Sequence, residues 1–183
     1  RQPAEMNKFM VSFIGLLFGT VILNGQLLRL NDQEYFETRG VNILVYSNQY
    51  TGWFFDEKTA GIEIIQHGVR TSTGGAIRLQ NTPEQWDLVP SVVSRKVDKS
   101  GKTITAELGY KDYNFNSRIS VTARDNGVEI SVYLDRPLPR ELEGNAGFNL
   151  EFLPSAYFEK TYLADGKPGN FPRYPSGSTR IES

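Results

Sequence analysis

Cysteine is absent from this chain of 183 residues. Its absence excludes disulfide bonds, thiolate metal sites, a cysteine nucleophile and lipid attachment through cysteine. The fold must therefore be stabilised by a packed core, and a chain of this length is long enough to bury one. The composition favours one principal domain, and we predict no metal and no cofactor.

The chain also lacks an excess of charge of either sign. Lysine and arginine together number 20, aspartate and glutamate 21, and the formal net charge is -1. Proteins that bind a phosphate backbone or an anionic membrane by electrostatics need a basic excess. Nucleic acid is therefore excluded as an expected partner.

Only one long apolar run is present, and it lies near the N-terminus. Met6 and Lys8 precede the almost wholly apolar stretch Phe9 to Leu23. A short basic start followed by such a run is typical of a secretory signal, and the run is short for a membrane-spanning helix. We predict cleavage near Gly25, which makes the mature protein secreted or periplasmic, without membrane contact. An uncleaved anchor and a buried core helix are the alternatives.

Short segments with alternating apolar and polar residues follow, and no segment of comparable length has a helical stripe. They are rich in β-branched and aromatic residues, which is typical of strands. Turn signals separate them, a pattern that predicts an all-β antiparallel sandwich, either immunoglobulin-like or half of a larger super-sandwich. The predicted strands are Asn42–Asn48, Gly61–Gly68, Ala76–Gln80, Val92–Asp98, Thr103–Tyr110, Ser117–Asp125, Gly127–Asp135 and Phe148–Pro154.

Two hairpins are predicted within this set. The first turns at DKSGK after Val97 and the second at DNG after Arg124, and both turns offer a residue for positive φ. One face of each hairpin is apolar, so packing the two faces together forms a sandwich core. The residues predicted to point inward are Val93, Arg95, Val97, Ile104, Ala106 and Leu108 in the first hairpin, and Ile119, Val121, Ala123, Val128, Ile130, Val132 and Leu134 in the second.

The last stretch of the chain has a different composition. From Ala164 the sequence ADGKPGNFPRYPSGSTRIES is rich in proline and glycine and lacks apolar alternation. Such a composition predicts an extended connector or surface loop. The expected organisation is a few upstream residues and a signal peptide over 1–25, a sandwich module over 26–163, and a connector over 164–183 towards a missing downstream domain.

Histidine occurs once, at His67. On a strand it would share a face with Glu63 and Ile65. A general base needs a nucleophile or a positioned water, and the nearby hydroxyl groups lie in a predicted turn. We therefore favour a hydrogen-bonded structural or interface histidine over a catalytic one.

That turn is predicted at TSTGG, Thr71 to Gly75. Known phosphate-binding loops continue into a helix, whereas the following AIRLQ has the pattern of a strand, so a hairpin turn is the better interpretation. Arg70 and Arg78 flank the turn. They either bind a carboxylate or sugar hydroxyl, or pair with acidic residues such as Glu84 or Asp87.

Aromatic side chains in loop-like stretches are further candidate contacts. Flat aromatic faces stack on sugar rings at low entropic cost, although packing in a core or against another domain is the more common use. The predicted carbohydrate or interdomain contacts are Tyr50, Trp53, His67, Arg70, Arg78 and Trp86. No catalytic residue is predicted.

The blocks from YFETRGVNILVYSNQYTGWFFDEK to TPEQWDLVP, followed by AGFNLEFLPSAYFEKTYLADGKPGNFPRYPSG, carry a family resemblance. Between Asn31 and Gly177 the chain resembles the N-terminal β-sandwich module of large secreted glycosidases from Bacteroidetes-type bacteria. The later domains of those enzymes resemble glycoside hydrolase family 9. The resemblance implies that the catalytic carboxylates belong to an (α/α)6 barrel, so none of them is carried over to this chain.

Three classes of function follow from these observations. The first is a non-catalytic module of a secreted polysaccharide-degrading enzyme, whose partner is the downstream catalytic domain of the same polypeptide. The second is a carbohydrate-binding module, whose partner is a polysaccharide held by exposed aromatic residues. The third is a self-sufficient sugar-acting enzyme that draws its acid and base from His67, Glu63 and Arg70. We favour the first.

Overall fold

The structure is a computed structural model, and it describes residues 27–47, 61–79, 88–125 and 127–173. The predicted signal segment, three of the predicted contact residues and the second half of the predicted connector lie outside these ranges. Within them, no helix is long and apolar enough to cross a bilayer. In chain order the strands are β1 (Arg29–Leu30), β2 (Phe36–Thr38), β3 (Val41–Val45), β4 (Ile62–Gln66), β5 (Val69–Leu79), β6 (Ser91–Asp98), β7 (Thr103–Tyr110), β8 (Phe115–Arg124), β9 (Gly127–Leu134), β10 (Ala146–Phe152), β11 (Thr161–Ala164) and β12 (Lys167–Asn170).

These strands form two main antiparallel sheets and a separate hairpin. The first sheet has six strands in the order β1-β2-β3-β4-β5-β10, and the second has four in the order β6-β7-β8-β9. Among the described residues, strands β11 and β12 pair only with each other. One short helix, α1 (Pro154–Tyr157), follows β10. The predicted all-β antiparallel sandwich is confirmed.

The core lies between the two main sheets. Alternation along each strand turns apolar side chains inward, and each large side chain buried in this way contributes roughly 1.5–3 kcal/mol. The fully buried members are Phe36, Val45 and Ile62 from the first sheet and Ile104, Ala106, Leu108, Ile119 and Val121 from the second.

Two hydrogen bonds join the second sheet to the first near opposite ends of β7 and β8. At the end of β8, the carbonyl of Asp125 accepts a hydrogen bond of 2.9 Å from the N–H of Leu28, next to β1. At the opposite end of β7, the hydroxyl of Tyr110 accepts one of 2.9 Å from the N–H of Ile77 on β5. Strands β7 and β8 therefore extend over the first sheet from its β1 edge to β5.

Both predicted hairpins are present, with one local difference in their strand pairing. Strands β6 and β7 pair Asp98 with Thr103 across the first turn, and β8 and β9 pair Arg124 with Gly127 across the second. The difference is Val93, which is the extra residue of a β-bulge between Val92 and Ser94 and is 58% exposed. The inward prediction for Val93 was wrong because the bulge turns its side chain out of the alternating pattern. Val132 and Leu134, which were also predicted to point inward, are exposed because they lie near the end of the edge strand β9.

The predicted turn at TSTGG is also wrong, because β5 runs through it without reversing. The chain reverses earlier, at His67 and Gly68, whose φ angles of 51° and 80° are those of a two-residue type I′ turn. The two glycines of TSTGG instead form a bulge. Gly75 has no opposite residue on β10, and its φ is 95°, a value that glycine adopts without strain.

Part of the predicted connector is ordered as a hairpin. Strands β11 and β12 pair Ala164 with Lys167 around Asp165 and Gly166, whose φ angles are 50° and 73°. Asp-Gly is a favoured type I′ turn, which explains a hairpin in a stretch that lacks apolar alternation. Residues 164–170 therefore do not form an extended connector.

Candidate functional site

His67 occupies the turn between β4 and β5, not a strand face shared with Glu63 and Ile65. Its N–H donates a hydrogen bond of 2.8 Å to the carbonyl of Gly40, in the turn between β2 and β3. Its ring covers that glycine so closely that an added Cβ there would lie 2.7 Å from the Cε1 atom of His67. The exposed histidine therefore packs two adjacent turns together, which is a structural role.

Arg70 forms an ion pair with Glu63, which was not among its predicted partners. The Arg70 Nη1 and Glu63 Oε1 atoms are 3.0 Å apart, and the carboxylate is buried while the guanidinium group is half exposed. A buried carboxylate needs such a partner, because desolvation otherwise makes its charge costly. The pair engages two of the three residues, Glu63 and Arg70, that the enzyme hypothesis assigned to acid and base chemistry.

Arg78 lies at the other end of β5, opposite Gly147 of β10. Eight residues separate it from Arg70 along the strand, which corresponds to roughly 25 Å at about 3.3 Å per residue. The structure therefore does not bring His67, Arg70 and Arg78 into one site. Tyr50, Trp53 and Trp86 lie outside the described residues, as do Glu84 and Asp87.

A group of aromatic rings that the sequence analysis did not select lies beyond the edge strand β10. We call it the aromatic cluster, and it consists of Phe152, Tyr157, Tyr162 and Phe171. Phe171 is at its centre, with ring centroids 5.5 Å from Phe152, 5.3 Å from Tyr157 and 4.9 Å from Tyr162. Phe152 and Tyr157 meet edge to face at 5.2 Å. Such tilted and edge-on contacts are the preferred geometry of aromatic pairs.

Strand β10 and helix α1 hold this cluster against the first sheet. The N–H of Leu153 donates to the carbonyl of Thr71 at 2.9 Å, so backbone pairing with β5 continues past the end of β10. Helix α1 starts at Pro154, whose fixed φ suits the first helical position. It presents Tyr157, and the hydroxyl of that residue lies 3.2 Å from the hydroxyl of Thr71.

The β11–β12 hairpin reaches the body of the protein through the same rings. The N–H of Phe171 donates to the carbonyl of Lys160, and the N–H of Glu159 donates to the carbonyl of Phe171, at 2.9 and 3.0 Å. The ring of Tyr162 lies over Gly169 of the opposite strand, where a side chain would collide with it. A two-stranded hairpin is marginally stable alone, so these contacts anchor it.

Much of the aromatic cluster faces solvent. Phe152 is 42% exposed and Tyr162 is 43% exposed, and Leu163 on the same hairpin is exposed as well. Contiguous exposed apolar surface of this kind marks sites of protein interaction in soluble proteins. The cluster has the composition of an interface core, in which aromatic residues are enriched and charged residues depleted.

No family model, curated protein or solved structure matches this chain. The resemblance to secreted glycosidase modules therefore rests on the sequence blocks alone.

A sequence signal for the aromatic cluster existed. The stretch from Phe152 to Phe171 reads FLPSAYFEKTYLADGKPGNF, in which aromatic residues recur every few positions. The predicted strand ends at Pro154 and the predicted connector begins at Ala164. Tyr157 and Tyr162 therefore lie between predicted elements, whereas Phe152 and Phe171 lie in two different ones. Their proximity depends on the α1 turn and the Asp-Gly hairpin, which fold the stretch back on itself.

Proposed function

We propose that this chain is a non-catalytic β-sandwich module of a secreted polysaccharide-degrading glycoside hydrolase. In this role it packs on a catalytic domain that follows in the same polypeptide and supports that domain. The contact surface is the aromatic cluster, together with the hairpin that it anchors. The glycosidase assignment comes from the sequence resemblance.

The exposure of the aromatic cluster is the main support for the proposal that a downstream domain packs on it. Burial of half-exposed rings such as Phe152 and Tyr162 against a second domain would remove apolar surface from water. Interdomain contacts within a chain resemble protein interfaces in size and composition. The cluster also lies on the last described elements, β10 to β12, from which the chain proceeds towards the predicted downstream domain.

The arrangement of the polar residues also favours a module without its own catalytic site. The candidate base His67 packs against a turn, and Glu63 is paired with Arg70. A general acid and base need access to substrate, and a nucleophile needs a base within hydrogen-bond reach. The residues proposed for the enzyme alternative are therefore committed to structural contacts.

The reading frame beyond Ser183 provides the first test. We expect it to continue into a helical domain with an acidic catalytic pair. A stop codon directly after Ser183 would remove the partner and overturn the proposal.

Hydrogen–deuterium exchange on the longer polypeptide provides the second test. Amides from 152 to 171 should exchange about tenfold more slowly there than in the 183-residue chain, because docking covers the aromatic cluster. The β8–β9 hairpin is the internal control and should exchange equally in both proteins. A Tyr162→Ser substitution in the longer polypeptide should reverse the protection. Equal exchange over 152–171 in both proteins would contradict docking at this surface.

A further inference from the structure

The outer face of the second sheet carries polar side chains in rows that run across its four strands. The strand registers place the members of each row directly opposite one another. From one end of the face to the other the rows are Ser94, Glu107, Arg118 and Tyr133, then Lys96, Thr105, Ser120 and Ser131, then Asp98, Thr103, Thr122 and Glu129. We call this surface the polar face.

Antiparallel sheets commonly expose one polar face to water. Two observations go beyond that pattern here. The first is Tyr133, a 47% exposed aromatic ring at the end of the first row. The guanidinium carbon of Arg118 lies 4.6 Å from the centre of that ring, in the geometry of a cation–π contact. This contact orders both side chains on the surface before any ligand binds, which lowers the entropic cost of binding.

The second observation is a groove of about 670 Å³ along the polar face. Its volume lies within the range of small-molecule sites, which is roughly 300–1,000 Å³. Residues that line it include Ser94, Thr105, Glu107, Asn116, Arg118 and Tyr133. The first row crosses four strands and so extends over roughly 14 Å at about 4.8 Å per strand.

The chemistry of the groove matches a neutral ligand with many hydroxyl groups. Its charged lining residues are two cations, Lys96 and Arg118, and three carboxylates, Asp98, Glu107 and Asp135, so no anion is favoured. Carboxylate oxygens accept from hydroxyl groups and the guanidinium group donates to them. Arg118 covers one face of the Tyr133 ring, and the opposite face offers the flat apolar surface that the C–H face of a sugar ring covers.

We propose that the polar face binds a neutral oligosaccharide, with Tyr133 as the stacking residue and Glu107 and Arg118 as hydrogen-bonding residues. None of these three residues was among the contact residues predicted from the sequence. The site lies on β6 to β9, whereas the aromatic cluster lies on β10 to β12 and helix α1. Glycan binding and domain docking are therefore separate properties, and either can fail without the other.

Affinity electrophoresis of the 183-residue chain in gels that contain soluble polysaccharides tests this inference. The neutral probes are hydroxyethylcellulose, xyloglucan, galactomannan and laminarin, and the anionic probe is polygalacturonate. We expect retardation by at least one neutral probe that persists at high salt, because screening weakens only charge-dependent binding. Failure of every neutral probe, or binding to polygalacturonate alone, would overturn the proposal.

Substitutions then locate the site. Tyr133→Ala and Glu107→Gln should each weaken binding about tenfold, whereas Tyr133→Phe keeps the ring and should retain most of the affinity. Phe158→Ala is the matched control, because Phe158 is 41% exposed and lies outside the polar face. Circular dichroism confirms that each variant is folded. If folded Tyr133→Ala binds the polysaccharide as well as the wild-type chain does, the glycan binds elsewhere. Loss of binding in Phe158→Ala would also show that the site is not on the polar face.

Discussion

Tyr46 shows how a single buried polar group can hold two parts of the core together. It lies just after β3, is almost fully buried, and donates a hydrogen bond from its hydroxyl to the carbonyl of Gly75 in the β5 bulge. A bulge leaves backbone groups outside the strand ladder, and a buried carbonyl without a donor is costly. Burial, with the nearby Tyr110 as a second cause, raises the pKa of Tyr46 far above its usual value.

A Tyr46→Phe substitution should reduce the free energy of unfolding by roughly 1–3 kcal/mol, because it removes the donor and leaves the Gly75 carbonyl buried without it. Urea denaturation at neutral pH measures the change. Tyr133→Phe is the control, because the Tyr133 side chain lies on the solvent-exposed face of its sheet. The free energy of unfolding of this variant should equal that of the wild-type chain. Equal stability of Tyr46→Phe and the wild-type chain would show that another donor reaches the carbonyl.

The same residue predicts a difference at alkaline pH. Its pKa is raised in the folded state, so above the unfolded value of about 10 the unfolded chain loses a proton that the folded chain keeps. This contribution to stability is complete below pH 10 or so and declines as pH rises further. Stability of the wild-type chain should therefore fall more steeply above that pH than stability of Tyr46→Phe, and parallel urea titrations compare the two.

Strand β5 is the element on which the first sheet depends, since it pairs with β4 on one side and β10 on the other. It carries an extra residue relative to each neighbour, Thr71 on the β4 side and Gly75 on the β10 side. Bulges increase the local twist of a strand. Two features require glycine at Gly75. Its φ is positive, and an added Cβ would lie 2.8 Å from the Cδ1 atom of Ile62.

Gly75→Ala should therefore destabilise the fold by roughly 1–3 kcal/mol, the usual cost of a side chain held in a rare backbone conformation. Gly147→Ala on the neighbouring strand is the matched control. An added Cβ at Gly147 meets no atom within 4 Å and its φ is not positive, so a change within about 0.5 kcal/mol is expected. Urea denaturation of the two variants measures their free energies of unfolding under the same conditions. If both lose the same stability, the bulge is not the cause.

Element-scale features divide into those that local pattern predicts and those that it does not. Strands such as β7 and β8 were predictable because one face is fully buried, which imposes strict alternation on residues such as Ile104 and Val121. Strands β1 and β2 contain two and three residues and are too short to show a period. The turn at His67 escaped prediction because positive φ is uncommon for a residue other than glycine.

The candidate surfaces were less predictable than the strands. Arg118 and Tyr133 are neighbours only because β8 and β9 pair in one register, and Phe152 meets Phe171 only because the chain reverses between them. A strand's own sequence indicates which residues share a face, but its partner strands decide which residues from different strands form a row. The six contact residues chosen from the sequence were chosen by type and loop context, and neither criterion determines spatial grouping.

At the scale of the whole molecule, the described chain consists of a two-sheet sandwich with one continuous core and a hairpin attached to its side. Every fully buried large side chain belongs to the sandwich or its loops, whereas all four residues of β11 are exposed. Cooperative unfolding units follow buried apolar contacts, so regions with few of them open at lower free energy. The hairpin should therefore open independently of the sandwich.

Phe171→Ala tests this division of stability. The substitution removes the ring that contacts Phe152, Tyr157 and Tyr162, and so releases the hairpin from the body. We expect limited proteolysis within 161–170 to become about tenfold faster, since cleavage follows the population of the open form. The urea midpoint of the sandwich should stay nearly constant. Leu163→Ala is the control, because Leu163 lies on the same hairpin, is 73% exposed and contributes no ring to the cluster. The contrary result is a lower urea midpoint in Phe171→Ala without faster cleavage within 161–170. It would mean that the hairpin and the sandwich unfold as one unit. The aromatic cluster would then be part of the core and not a surface for another domain.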